Sequence, residues 1–229
     1  MKAKRVIAIF TALVFASPLG AQMGILGART PGMSGIWNPV AGTGAAYDMT
    51  DRDGKKSQLE ITILGKEDVN GKPGYWMEMA MSNGRAAGDI YMKYLVAPSD
   101  NGLIPVRMIM QQPGQAPTDV DMNLVGGSRV KQSIPGDIRD KAERVGTESV
   151  TVPAGTFSCE HYKMKDGSSD VWVSDKVNPW GLVKMQGKDS SIILAKVITD
   201  AKDHITGTPK KFDPMSIMRD RMSNRGQQD

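Results

Sequence analysis

The stretch that decides the fold runs from Gln58 to Ser82. Gln58-Leu59-Glu60-Ile61-Thr62-Ile63-Leu64 alternates polar and apolar residues. Asn70-Gly71 follows, and then Gly74-Tyr75-Trp76-Met77-Glu78-Met79-Ala80-Met81-Ser82 alternates again. A period of two puts alternate side chains on one face of a strand. An Asn-Gly pair supplies the two positive φ angles of a tight hairpin turn. The segment therefore reads as two antiparallel strands joined by a hairpin, with Tyr75, Met77, Met79 and Met81 on one face and Trp76 on the other.

The same grammar extends outward in both directions. Asp53-Gly54 and Asp166-Gly167 mark further turns. Expected strands are 45–50, 58–64, 74–82, 89–97, 104–111, 119–124, 144–152, 156–165, 168–174, 181–185 and 190–199. The fold class is all-β: a single strongly curved antiparallel sheet or half-barrel of about eleven strands. Residues 126–142 are polar around Pro135-Gly136 and read mostly as loop, with room for one helical turn. One composition regime and no fixed repeat make residues 39–206 a single β domain.

The ends differ in character. Lys2, Lys4 and Arg5 precede an apolar run, Val6 to Ala16, that is too short to span a bilayer. Residues 1–21 read as a secretory signal peptide, with cleavage after Ala16 or Ala21. Residues 22–38, rich in Gly, Met and Pro, read as a flexible leader. Residues 207–229 read as a polar tail with a short helix or none: Asp213-Pro214 has the form of an N-cap, and Met215, Met218 and Met222 would share a face.

Charge follows from the signal. The whole chain carries 29 basic and 25 acidic residues, and removing Lys2, Lys4 and Arg5 leaves 26 against 25. A balanced mature chain with no basic stripe among Trp37, Trp76, Trp172 and Trp180 gives no reason to expect a nucleic-acid partner. No other run is long and apolar enough to be a transmembrane helix. Cys159 is the single cysteine, so no intrachain disulfide forms. The expected location is periplasmic or secreted.

The block Val150-Thr151-Val152-Pro153-Ala154-Gly155-Thr156-Phe157-Ser158-Cys159 stands between the Tyr47–Met79 region and Asp170-Val171-Trp172-Val173-Ser174. This order resembles a bacterial exported protein family of unknown function with a V-P-A-G-T-F-x-C motif. That family is loosely similar to the LolA/LolB-like lipoprotein-carrier half-barrels. The resemblance spans most of residues 40–200. It implies an open curved sheet with a hydrophobic concave face, and it implies no activity. Physically the motif is a turn: Pro153 fixes φ at one corner, and Gly155 permits the unusual φ that closes it.

Chemistry-bearing groups are few. Cys159 and His161 share a strand face with Phe157, which reads as a buried thiol beside a satisfied histidine. Asp51-Arg52-Asp53-Gly54 opens like a calcium loop but lacks the later ligands. Gly32-Met33-Ser34-Gly35 is no nucleophile elbow, since no strand precedes it. No catalytic residue, cofactor or metal is expected, and the chain reads as a non-enzyme.

The methionines are the notable feature. Met77, Met79 and Met81 alternate on one strand, Met92 and Met122 join them, and Met108 and Met110 alternate on another. Three readings fit: plain core, an apolar ligand cavity lined by a flexible thioether surface, or Cu(I). Neighbouring methionines on one strand stand roughly 6.5–7 Å apart, and Tyr75 and Tyr94 compete for the space, so no copper site is expected. The leading expectation is a binder of a lipid or acyl chain, with Tyr75, Met77, Met79, Met81, Met92, Met108 and Met110 as ligand-binding residues. The alternative is an envelope interaction or scaffold protein that holds a protein partner through its polar termini.

Overall fold

A computed structural model of the chain describes residues 35–82, 88–99, 102–122 and 137–213. The signal peptide, most of the leader and Met215, Met218 and Met222 lie outside the described residues. Those residues form one antiparallel sheet with a parallel stub at one edge. Its strands are β1 (Thr43–Thr50), β2 (Lys56–Val69), β3 (Lys72–Ser82), β4 (Ile90–Ser99), β5 (Gly102–Gln111) and β6 (Thr118–Asp121). They continue as β7 (Ala142–Val152), β8 (Gly155–Met164), β9 (Ser169–Val173), β10 (Leu182–Gly187), β11 (Ser191–Ile198) and β12 (Lys210–Lys211). A single 3₁₀ turn, Ile138–Asp140, precedes β7.

The spatial order is β12-β6-β5-β4-β3-β2-β1-β11-β10-β9-β8-β7. All pairs are antiparallel except β12 with β6. β12 and β7 are the two edges, so the sheet is open. It belongs to the all-β class, with eleven antiparallel strands where the alternation places them. β12 arises where the sequence suggests only tail, because two lysines carry no strand pattern.

The turns form as their residues dictate. Asn70 (φ 54°) and Gly71 (φ 80°) are both left-handed between β2 and β3, and Asp68 accepts the Gly71 N–H at 2.9 Å. Gly155 takes φ 130° at the β7–β8 turn, a conformation strained for any residue with a Cβ. That turn also reports the curvature of the sheet: Ala154 N–H donates to Leu194 C=O on β11 at 3.4 Å, although three strands lie between β11 and β7 in the sheet.

One apolar cluster fills the concave side. It joins Ala45, Tyr47, Leu59, Ile61 and Met77 to Cys159, Val171, Trp180, Leu182 and Leu194 from the other half of the sheet. Residues 36–38 belong to this packing rather than to a leader. Ile36 bridges Asp137 and donates its N–H to Trp180 C=O at 2.8 Å, while Asn38 donates to Pro179 C=O at 2.7 Å. Gly35 makes the approach feasible, since a Cβ there would sit 1.9 Å from Trp180 O. Nothing periodic in the sequence announces this contact, because it joins two irregular segments.

Candidate apolar binding face

Strand register decides which side chains share a face, because directly paired residues project to the same side. Met79 on β3 pairs with Met92 on β4, which pairs with Met110 on β5. The next row runs Met77, Tyr94, Met108 and Val120. Met81 pairs with Ile90 and Tyr75 with Val96. All seven expected residues therefore lie on one face of β3–β5, the core-facing one. Met122 lies beyond the end of β6.

They do not share one environment. Met77 and Met108 are 2% exposed and Met79 is 7% exposed, so these three are core. Tyr75 is half-buried, and Trp37 meets its ring edge-on with centroids 6.1 Å apart. Trp37 in turn packs against Trp180 at 4.6 Å. Met81, Met92 and Met110 are only half-buried. The face is thus filled by the protein's own aromatics at the Tyr75 end and remains partly open at the Met92–Met110 end. Tyr94 O–H lies 3.6 Å from Met92 Sδ, and burial pushes its phenol pKa up. It stays protonated there and adds an apolar wall.

The outer face of the same strands is polar. Trp76 donates to Glu67 at 2.7 Å, and Lys93 and Arg107 lie 5.5 and 5.6 Å over its ring. Arg107 grips Asp119 with two hydrogen bonds, 2.9 and 2.6 Å, and this holds the Asp119 carboxyl below the usual range. Residues 200–212 cross this face. Glu78, 1% exposed, lies within hydrogen-bond distance of His204 Nδ1, at 2.7 Å. The pairing escapes sequence reading because 126 positions separate the partners. The one local hint is the acidic residue between Met77 and Met79, which alternation sends to the outer face.

Cys159 and His161 lie two apart on β8, Cys159 within the core cluster and His161 half-buried. His161 Nε2 lies 2.9 Å from Asp170 and Nδ1 3.1 Å from Glu148, with Trp172 stacked on the ring at 4.5 Å. Both nitrogens are engaged by carboxylates. Cys159 is fully buried, and desolvation, aided by the Glu148 charge, pushes its thiol up to about 11. A thiol so protonated is a poor nucleophile at neutral pH. Among the described residues no three His, Cys, Asp or Glu side chains converge where a metal ion could sit. None of their helices is long and apolar enough to cross a membrane.

No family model matches the chain, and no curated protein matches it. Solved structures do. One from Bacteroides fragilis, provisionally described as an exported protein with a YmcC-like fold, is 12% identical, with 72% of this chain and 99% of that chain covered and a TM-score of 0.35. Another, from Parabacteroides distasonis and provisionally described as a lipoprotein, is 15% identical with the same coverage and a TM-score of 0.36. At such scores the likeness decides nothing about function.

Proposed function

We propose that this chain is an exported, non-enzymatic binder of an apolar ligand, a lipid or acyl chain, located in the periplasm or secreted. The observation that supports the reading is the Met79–Met92–Met110 row, which passes from a buried thioether at β3 to half-buried ones at β4 and β5. Thioether side chains reshape at low cost and suit a surface that takes chains of varied form. The signal-like residues 1–21 supply the compartment.

The ligand would lie along Met81, Met92 and Met110. Met77, Met79 and Met108 would form the floor, and Trp37 and Trp180 the closed end. Native mass spectrometry with lipid extraction, on protein purified from its own envelope, tests this. A co-purified lipid that is lost in a folded Met92→Glu/Met110→Glu variant is the expected result. No lipid, and no response from a fluorescent acyl-chain probe, would overturn it and leave the scaffold reading, in which the polar termini hold an envelope partner.

A further inference from the structure

We propose that Met92 is a site of reversible oxidation, at which a peroxide converts the thioether to a sulfoxide and the Tyr94 hydroxyl receives the new oxygen. The open end of the methionine face then becomes polar while the sheet stays folded. The modification stands apart from the ligand reading, and its effect on binding rests on that reading.

Exposure ranks the sulfurs. On the core-facing side of β3–β5, Met77 and Met108 are 2% exposed and Met79 is 7% exposed. Met81, Met92 and Met110 are half-buried. A dissolved oxidant meets the second set and is kept from the first. The signal-like residues 1–21 direct the chain out of the reducing cytosol.

Met164 and Met185 are half-buried as well, so exposure by itself does not single out one residue. A neighbour does. Met92 and Tyr94 are two apart on β4 and project to the same side. The Tyr94 O–H donates to Met92 Sδ at 3.6 Å, and among the described residues no other methionine sulfur accepts a side-chain hydrogen bond.

That gap suits a sulfoxide. A sulfur–oxygen bond of about 1.5 Å, bent by about 120° toward the hydroxyl, leaves about 2.6 Å between the two oxygens, an ordinary O–H···O separation. Thioether sulfur is a weak acceptor, so replacing it with a sulfoxide oxygen strengthens the bond. The donor persists at neutral pH because burial pushes the Tyr94 phenol up. An oxygen added to Met77, Met79 or Met108 would instead be buried in the core cluster without such a partner, which opposes folding.

The reaction needs only hydrogen peroxide. The Met92 sulfur lone pair bonds to one peroxide oxygen and the O–O bond breaks. The departing hydroxide takes the proton of the transferred oxygen and leaves as water. Sulfur loses two electrons and peroxide gains them. Since the hydroxyl lies to one side of the sulfur, it favours one of the two sulfoxide epimers. Reductases specific for each epimer restore the thioether; two thiols become a disulfide and the oxygen leaves as water.

Brief exposure of the folded protein to hydrogen peroxide, followed by peptide mass mapping, tests the site. Met92 should gain one oxygen at least about tenfold faster than Met77 or Met108, as accessibility dictates, with an unchanged circular dichroism spectrum. Epimer-specific reductases applied to the digest should show one epimer predominating at Met92. In Tyr94→Phe, which keeps the ring and loses the hydroxyl, the mixture should move toward equal. A fluorescent acyl-chain probe should lose affinity on oxidation and regain it on reduction. If Tyr94→Phe folds poorly, Met92→Leu serves instead: relative to its own starting affinity, its oxidative loss should be smaller. Met92 oxidation no faster than that of the core methionines, unfolding on oxidation, or an epimer mixture indifferent to folded Tyr94→Phe would overturn the proposal. Absence of probe binding before oxidation would overturn the ligand reading, and the epimer mixture would still decide the modification.

Discussion

The indole of Trp37 packs 4.6 Å, centre to centre, from that of Trp180, tilted by 52°. The two rings arrive on irregular segments from far apart in the chain, and together they close one end of the methionine face. Trp37→Ala should remove this lid without touching the sheet. A half-buried tryptophan cut to alanine is expected to cost about 2–4 kcal/mol. Urea unfolding should show that loss, and the variant should gain affinity for longer acyl-chain probes. An unchanged midpoint would mean that the two indoles do not form a packed lid.

Asp119 and Arg107 make the clearest acid-dependent contribution. The Arg107 hydrogen bonds hold Asp119 below its ordinary value, so its stabilisation is present above that ordinary value and is lost as pH falls through the folded-state value. Arg107 is 43% exposed, so the contribution is modest, about 0.5–1.5 kcal/mol. Asp119→Asn should lose that amount at neutral pH and match the parent protein near about pH 2. A stability gap that persists undiminished in acid would contradict this assignment.

Cys159 should be almost inert while the protein is folded. Its thiol is pushed up to about 11 from an ordinary 9.0, which lowers the thiolate fraction at neutral pH about a hundredfold. Burial adds a steric barrier. Thiol titration should therefore give no fast phase in buffer and one equivalent in denaturant, and rapid labelling of the native protein would refute it.

Gly155 takes φ 130° in the turn of the V-P-A-G-T-F-x-C motif. The nearest atom to a Cβ added there is Phe157 Cε2, at 3.9 Å. Gly155→Ala would thus meet no clash, and its cost is backbone strain alone, about 1–3 kcal/mol. Gly65→Ala, with open space and no positive φ, serves as the control. Equal thermal stabilities for the two variants would show that this conformation is not required.

Alternation told the truth about strands because it reflects a local rule. Every second side chain of a strand meets the core, so the Tyr75–Met81 set and its partners Met92, Met108 and Met110 could be placed on one face before any pairing was known. Asn70-Gly71 could be placed in the turn for an equally local reason, the low cost of positive φ in those two residues. The positions of these residues were legible in that way; the difference between buried Met77 and half-open Met92 was not.

That difference depends on what lies across the sheet. Trp37 covers Tyr75 because Gly35 allows the backbone to approach Trp180, and His204 reaches Glu78 because the chain doubles back after β11. Contacts of this kind join irregular segments distant in sequence, and no period of two or 3.6 encodes them. By itself the sequence determined the strands, the turns and the face that each side chain takes, since these follow from the geometry of a few consecutive residues. Only the tertiary structure decided which end of the methionine face is filled, which carboxylate loses its water and which imidazole supports it, because burial is set by whatever the rest of the chain brings near.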